Sequence, residues 1–179
     1  MGRNLLVVKV VIGNVKIALL NTHLESMLTS SDERINQLNN CFIRAQNFPP
    51  EFNVFFGGDM NLRDWETKDI VPENMPDLWV QSGSWLSTKY TWDLTENTNK
   101  EMPTDRQPQC RFDRFYLRDS NPKTLQLRYF GLGGQDIVKD TDMFPSDHWA
   151  IIIRFSKIQS ETTAVKTERE SDTCSNWRA

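Results

Sequence analysis

Histidine is nearly absent from this 179-residue chain, which has two against 24 acidic and 21 basic side chains. That scarcity excludes a His-rich zinc centre, and Cys41, Cys110 and Cys174 stand too far apart to act as paired thiolate ligands. Three widely spaced cysteines also lack the dense, even pattern of a disulfide-stapled scaffold, which favours a reducing compartment. Positive charge is not in excess either. A formal net charge of −3 argues against a broad basic face for nucleic acid, because such binding needs clustered Lys and Arg. A nucleic acid gripped over only a few nucleotides is still compatible. No apolar stretch approaches the roughly 20 residues of a membrane span. Leu5-Leu6-Val7-Val8 is interrupted by Lys9 with no small-residue cleavage site after it, and the sixth position lacks the Ser or Thr of a myristoylation motif. The amino terminus therefore reads as a strand, and no membrane partner is expected.

What is present fits one domain over residues 1–156, followed by a polar, aperiodic stretch over 157–179 that reads as a disordered tail. With 38% hydrophobic residues, a chain of this size buries about 70% of its unfolded surface. Leu5 to Val11 and Val15 to Asn21 are β-rich runs joined by Gly13-Asn14, a dipeptide suited to a tight hairpin. Ser30 and Glu33 have capping-box spacing, and Ile35, Leu38, Phe42 and Ala45 then recur on one helical face until Pro49-Pro50. Phe52 to Phe56 is almost wholly apolar, as a central strand buried on both faces would be. Arg111 to Leu117, Leu125 to Phe130 and Trp149 to Phe155 supply three further strands.

Both histidines sit in short polar clusters at strand edges, Thr22-His23-Leu24-Glu25 and Ser146-Asp147-His148, with Gly57-Gly58-Asp59-Met60-Asn61 between them. Separate strands delivering side chains to one point would produce this pattern. With thiolates and imidazoles scarce, the carboxylates and amides suit a hard ion such as magnesium. Asp59 and Asn61, two residues apart in a turn, can both address one water or one phosphoryl oxygen. Asp113, between Arg111 and Arg114, can accept a hydrogen bond from an imidazole and fix its tautomer. Plainer readings stand beside these. Asp-Xaa-Asn after Gly-Gly is ordinary turn chemistry, Ser-Asp-His a solvated turn, His23 an interior histidine, Asp113 the partner of an arginine and Trp92 a core aromatic. Glu66, Lys68 and Asp69 read as a solvated charge cluster.

The strings Asn21-Thr22-His23-Leu24-Glu25-Ser26, Gly58-Asp59-Met60-Asn61-Leu62-Arg63-Asp64, Tyr90-Thr91-Trp92-Asp93, Arg111-Phe112-Asp113-Arg114 and Phe144-Pro145-Ser146-Asp147-His148-Trp149 resemble the endonuclease/exonuclease/phosphatase superfamily. More narrowly they resemble its 5′-type tyrosyl-DNA phosphodiesterases. The similarity implies an α/β (α+β) fold, a DNase I-like four-layer sandwich of two β-sheets flanked by helices. It implies Asp59 positioning or activating the attacking water, Asn61 helping to hold it, His148 on the scissile phosphate with Asp113 orienting it, and His23 in the phosphate pocket. Asp147 would lie in or beside the metal shell, with Asp59 a further candidate ligand. Glu25, Arg63, Trp92 and Phe112 would contact DNA. The implied reaction is Mg²⁺-assisted hydrolysis, with Mn²⁺ as an alternative ion, of the bond joining a tyrosine to a DNA 5′ end. That substrate implies DNA repair and a nuclear setting, with the cytoplasm as a second location.

Relatives carry an upstream half of the domain, including an asparagine of the phosphate pocket and a glutamate that binds magnesium, so the expectation is an N-terminally truncated sandwich. Activity is expected to be weak or absent without that segment. Two readings remain beside the main one: a catalytically impaired module that binds DNA ends, and another superfamily hydrolase, either an abasic-site endonuclease or a lipid phosphatase.

Overall fold

The computed structural model describes residues 2–102 and 105–158. Strand β1 (Leu5–Ile12) turns at Gly13-Asn14 into β2 (Val15–Thr22), antiparallel, with Leu5 opposite Thr22 and Ile12 opposite Val15. Gly13 takes φ +61°, the left-handed conformation this turn requires. Helix α1 (Ser31–Gln46) then crosses to β3 (Phe52–Asp59), which runs parallel to β2. Between β3 and the next long strand lie a short helix, α2 (Leu78–Gln81), and a two-stranded ribbon of β4 (Trp92–Asp93) and β5 (Gln109–Cys110). Strand β6 (Asp113–Arg118) pairs antiparallel with β3 and completes a sheet of order β1-β2-β3-β6. The hairpin of β7 (Leu125–Gly133) and β8 (Ala150–Lys157) forms a separate sheet.

Hydrophobic burial stacks these pieces. On one face of the first sheet, Leu38, Cys41, Phe42 and Ala45 of α1 pack against Ala18, Leu20, Val54, Phe56 and Tyr116. Phe42 meets the Phe56 and Tyr116 rings edge-on at 5.3 and 5.0 Å, an arrangement that suits the ring quadrupoles. On the other face, Phe55 and Leu117 join Leu125, with Leu127, Ile153 and Phe155 of the second sheet around them. The result is a helix on a sheet on a sheet, three of the four layers of the DNase I-like sandwich that the resemblance implied, with β3 buried on both sides. Coverage of that second face is uneven. Leu6, Val8 and Leu19 are exposed on it, beside an apolar groove of about 340 Å³ lined by Val10, Ile17, Leu19, Phe55, Ile151 and Ile153 among others.

Several local expectations need correction. The Ser30–Glu33 capping box does not form: Ser30 occupies the cap position without a side-chain bond. The neighbouring Ser31 hydroxyl instead donates to Glu66, 2.5 Å away. Glu66 is not solvated. It is 2% exposed, because fully buried Arg34 of α1 pairs with it. Arg111 and Phe112 precede β6 rather than opening it, Trp149 precedes β8, and Lys157, assigned to the tail, closes β8. The remainder of the proposed tail from residue 159 onward lies outside the described residues.

Candidate active site

Strand register brings three chain segments to one edge of the first sheet. Parallel pairing sets Asn21 of β2 opposite Gly57 of β3, and antiparallel pairing sets Asp59 opposite Asp113. The ends of β2 and β3 therefore meet the start of β6. Backbone bonds carry the pairing into the loops: Leu24 N–H donates to the Asp59 carbonyl at 2.9 Å, and Met60 N–H to the Phe112 carbonyl at 3.0 Å. Gly58 makes the approach feasible. At its φ of +135°, a Cβ would stand 2.0 Å from the Thr22 carbonyl oxygen, so only glycine lets β3 close on β2 just before Asp59.

Asp59 occupies the centre. Its Oδ1 accepts the Asn61 N–H at 2.9 Å, and Asn61 adopts φ +49°, a left-handed conformation that asparagine tolerates. Asp59 Oδ2 lies 3.3 Å from His23 Nε2 and 4.0 Å from His148 Nε2. The opposite ring nitrogen of His148, Nδ1, is 2.7 Å from Asp113 Oδ2. Burial and the Asp113 charge opposite hold the Asp59 carboxyl above the usual carboxylate range. Burial alone would lower His148, but the Asp113 hydrogen bond and charge, with the charges of Asp59 and Asp147, more than offset it and raise its pKa. The carboxylate–imidazole–carboxylate row can thus fix the imidazole through Nδ1, turn Nε2 toward Asp59 and keep a proton between them.

The ligand atoms of Asp59, Asp113 and His148 all lie within 4.8 Å of one another, the one group of three among the described residues able to hold a metal ion. Asp147 is not in that group and acts on the centre through its charge on His148. Glu25 bonds to Arg3, at 3.3 and 3.4 Å, and the Arg3 hydrogen bond lowers its pKa. Beside the centre, the Trp92 and Phe112 rings lie 5.4 Å apart, and each is 6.4 Å from the His148 ring. Arg63 sits over Phe112 at 5.5 Å. Trp92 is buried, whereas Phe112 and Arg63 are half-buried, so the last two offer the accessible surface.

Three positioning residues were not legible beforehand. The buried Thr91 hydroxyl accepts the Asp113 N–H at 3.0 Å, while its carbonyl accepts the Trp149 N–H at 2.7 Å. Asn97 donates to the Ser146 carbonyl at 2.9 Å, and Asn99 exchanges two 2.8 Å bonds with the Phe144 backbone. Together they anchor the loop that presents His148. Asn97-Thr98-Asn99 carries only a generic turn signal, and Thr91 none beyond its place in Tyr90-Thr91-Trp92-Asp93.

No family model matches the chain. It is 38% identical over 161 residues to a 5′-tyrosyl-DNA phosphodiesterase of Caenorhabditis briggsae, covering 88% of this chain and 44% of the relative. It is 37% identical over 166 residues to tyrosyl-DNA phosphodiesterase 2 of Gallus gallus, covering 88% and 43%. The crystal structure of Danio rerio TDP2 complexed with a single-strand DNA product superposes with a TM-score of 0.81 at 35% identity, over 86% of this chain and 62% of that one. Over most of its own length the chain is similar to tyrosyl-DNA phosphodiesterase 2. It spans less than half the length of the curated relatives it matches. An endonuclease/exonuclease/phosphatase family protein of Bacteroides thetaiotaomicron shares the fold, with a TM-score of 0.55 at 11% identity. The strings that mark the tyrosyl-DNA phosphodiesterase likeness converge here: Asn61 touches Asp59, Arg63 covers Phe112, and Trp92 backs the Phe112–His148 side.

Proposed function

We propose that this chain carries the hydrolytic centre of a divalent-metal-dependent 5′-tyrosyl-DNA phosphodiesterase, acting on a DNA 5′ end that bears phosphotyrosine. The observation that carries the reading is the convergence of Asp59, Asp113 and His148 within 4.8 Å, beside an arginine–aromatic pair that can grip a single nucleotide end. The two carboxylates fit a divalent cation, which leaves the His148 imidazole free to bond a phosphoryl oxygen. Burial and the Asp113 charge raise the Asp59 carboxyl, and a bound cation would offset the second of these. Oxygen-rich donors favour Mg²⁺, with Mn²⁺ as the alternative. Asp59 and Asp113 would hold the ion, with Asp147 contributing charge nearby, and the bound ion would supply charge stabilisation at the phosphoryl oxygens.

The chain's own residues divide the remaining work. Asp59, its Oδ1 fixed by the Asn61 N–H, positions a water and accepts its proton. The Asn61 side chain fixes the loop by donating to the Leu24 carbonyl at 3.3 Å. His148, oriented by Asp113, donates to a phosphoryl oxygen as negative charge develops there. His23, 58% exposed at the side chain, borders the same phosphate position. Little is asked of a general acid, because the tyrosine phenol, with a pKa of about 10, leaves readily. Arg63 and Phe112 take the terminal base by cation and stacking contacts worth about 1–3 kcal/mol per base, which suits an acidic chain with a small footprint on DNA. A substrate of this kind implies a nuclear setting, with the cytoplasm as a second location.

The test is turnover of a 5′-phosphotyrosyl oligonucleotide by the chain during Mg²⁺ titration, with chelator as control and an abasic duplex and a phosphoinositide as competing substrates. Metal-dependent tyrosine release, weak in this chain by itself and abolished by chelator and by Asp59→Asn, is the expected result. Preference for either competitor, or indifference to Asp59→Asn, refutes the proposal.

A further inference from the structure

Arg34 and Glu66 form a buried ion pair between the loops that leave β2 and β3. The Arg34 guanidinium, fully buried on α1, donates through Nη1 to the backbone carbonyls of Glu25 at 2.9 Å and Met27 at 2.8 Å. Its other donors, Nε and Nη2, go to the Glu66 carboxylate. Glu66, in the short turn Asp64–Thr67, accepts the Arg63 N–H at 2.6 Å and the Ser31 hydroxyl at 2.5 Å. The pair is thus a buried polar link between two loops, one carrying His23 and Glu25 out of β2, the other carrying Asn61 and Arg63 out of β3. Above it the same loops meet once more, where Asn61 Nδ2 reaches the Leu24 carbonyl at 3.3 Å.

Two observations argue that the pair does more than fill the interior. Replacing a buried ion pair with apolar side chains of similar volume is often neutral for stability, so packing alone does not require it. In addition, Met27 sits at φ +69°, a conformation unfavourable for a methionine, and its carbonyl is one that Arg34 holds. Strain held by a buried cation next to a candidate site is expected where a loop must keep one path.

We propose that Arg34 and Glu66 are positioning residues of the hydrolytic centre. The pair sets the spacing between the Leu24–Met27 and Asn61–Glu66 segments, and so places Asn61 against Asp59 and Arg63 over Phe112. The chemical part of this inference rests on the proposed phosphodiesterase reading; the loop-spacing part does not.

The experiment compares the full chain with Arg34→Met/Glu66→Leu and with Arg34→Lys. The readouts are melting, amide hydrogen exchange, and kcat and KM on the 5′-phosphotyrosyl oligonucleotide. The double variant is expected to melt near the parent, yet to exchange the Arg63 and Glu25 amides about tenfold faster while Phe56 is unchanged. Its kcat/KM is expected to fall about 100-fold, with KM rising as Arg63 shifts. Loss of folded protein alone would lower apparent kcat and leave KM alone. Should the double variant not fold, Arg34→Lys decides, since a single ammonium can meet Glu66 but cannot also hold both carbonyls. Unchanged loop exchange, or unchanged KM and kcat with the pair removed, overturns the inference. If the parent chain itself shows no metal-dependent turnover, the phosphodiesterase reading fails separately, and the exchange of the Arg63 and Glu25 amides still decides the spacing role.

Discussion

The proton on His148 has carboxylates on both sides, Asp113 at Nδ1 and Asp59 beyond Nε2. Because the imidazole pKa is raised, the imidazolium persists to higher pH than in a free histidine. Activity that depends on it is complete below the ordinary value of 6.5 and is lost as pH rises through the raised one. On the acid side, Asp59 must ionise; burial and the Asp113 charge raise its carboxyl above the ordinary 3.8 in the metal-free chain, and a bound cation opposes that rise, so adding Mg²⁺ is expected to move the acid limb to lower pH. Asp113→Asn is expected to lower kcat by about 10–100-fold and to shift the alkaline limb to lower pH, as read from kcat–pH profiles. Glu66 shows the opposite sign. Burial would raise its carboxyl, but Arg34, the Arg63 N–H and Ser31 outweigh it and the pKa is lowered. Its stabilisation is therefore full above 4.5 and is lost as pH falls through the lower folded value. Glu66→Gln leaves the Arg34 charge buried without its partner and is expected to cost about 3–5 kcal/mol at neutral pH. It should also flatten the acid limb of a pH–melting curve.

At the scale of elements, β3 bears most of the arrangement: parallel to β2, antiparallel to β6, covered on both faces, and ending at Asp59. Its closing glycines are structural requirements. Gly58→Ala would bring Cβ to 2.0 Å from a backbone oxygen that cannot swing away, at an expected cost of about 3 kcal/mol, measurable by urea denaturation. The apolar run Phe52–Phe56 and the stripe through Leu38, Phe42 and Ala45 made β3 and α1 legible, because their periods match burial on two faces and on one. The two-residue strands β4 and β5 were not legible, since two residues carry no period. The register that sets Asp59 opposite Asp113 follows from pairing between distant segments and leaves no mark in either.

Across the whole molecule, apolar surface is unevenly covered. The β7–β8 hairpin packs over Phe55 and Leu117, yet Val8 at 44% and its cross-strand partner Leu19 at 43% stay exposed beside an apolar groove. An open face of this kind favours association. Val8→Lys combined with Leu19→Lys is expected to reduce hydrophobic-dye binding and light scattering, while shifting stability by only about 0.5 kcal/mol per site. No helix among the described residues is long and apolar enough to cross a membrane. The low histidine and cysteine content, the alternating strands and the polar clusters at their ends were all local properties, so composition and period revealed them.

Sequence alone determined which groups are available for chemistry and at which strand ends they sit, since residue type and hydrophobic period are written locally in the chain. Only the folded arrangement decided which of them meet. Asp113 reaches His148 across 35 residues of sequence, and Glu66, read as solvated, pairs with Arg34 across 32. Each contact is a product of packing between elements, and packing depends on three-dimensional neighbours that neither residue encodes by itself.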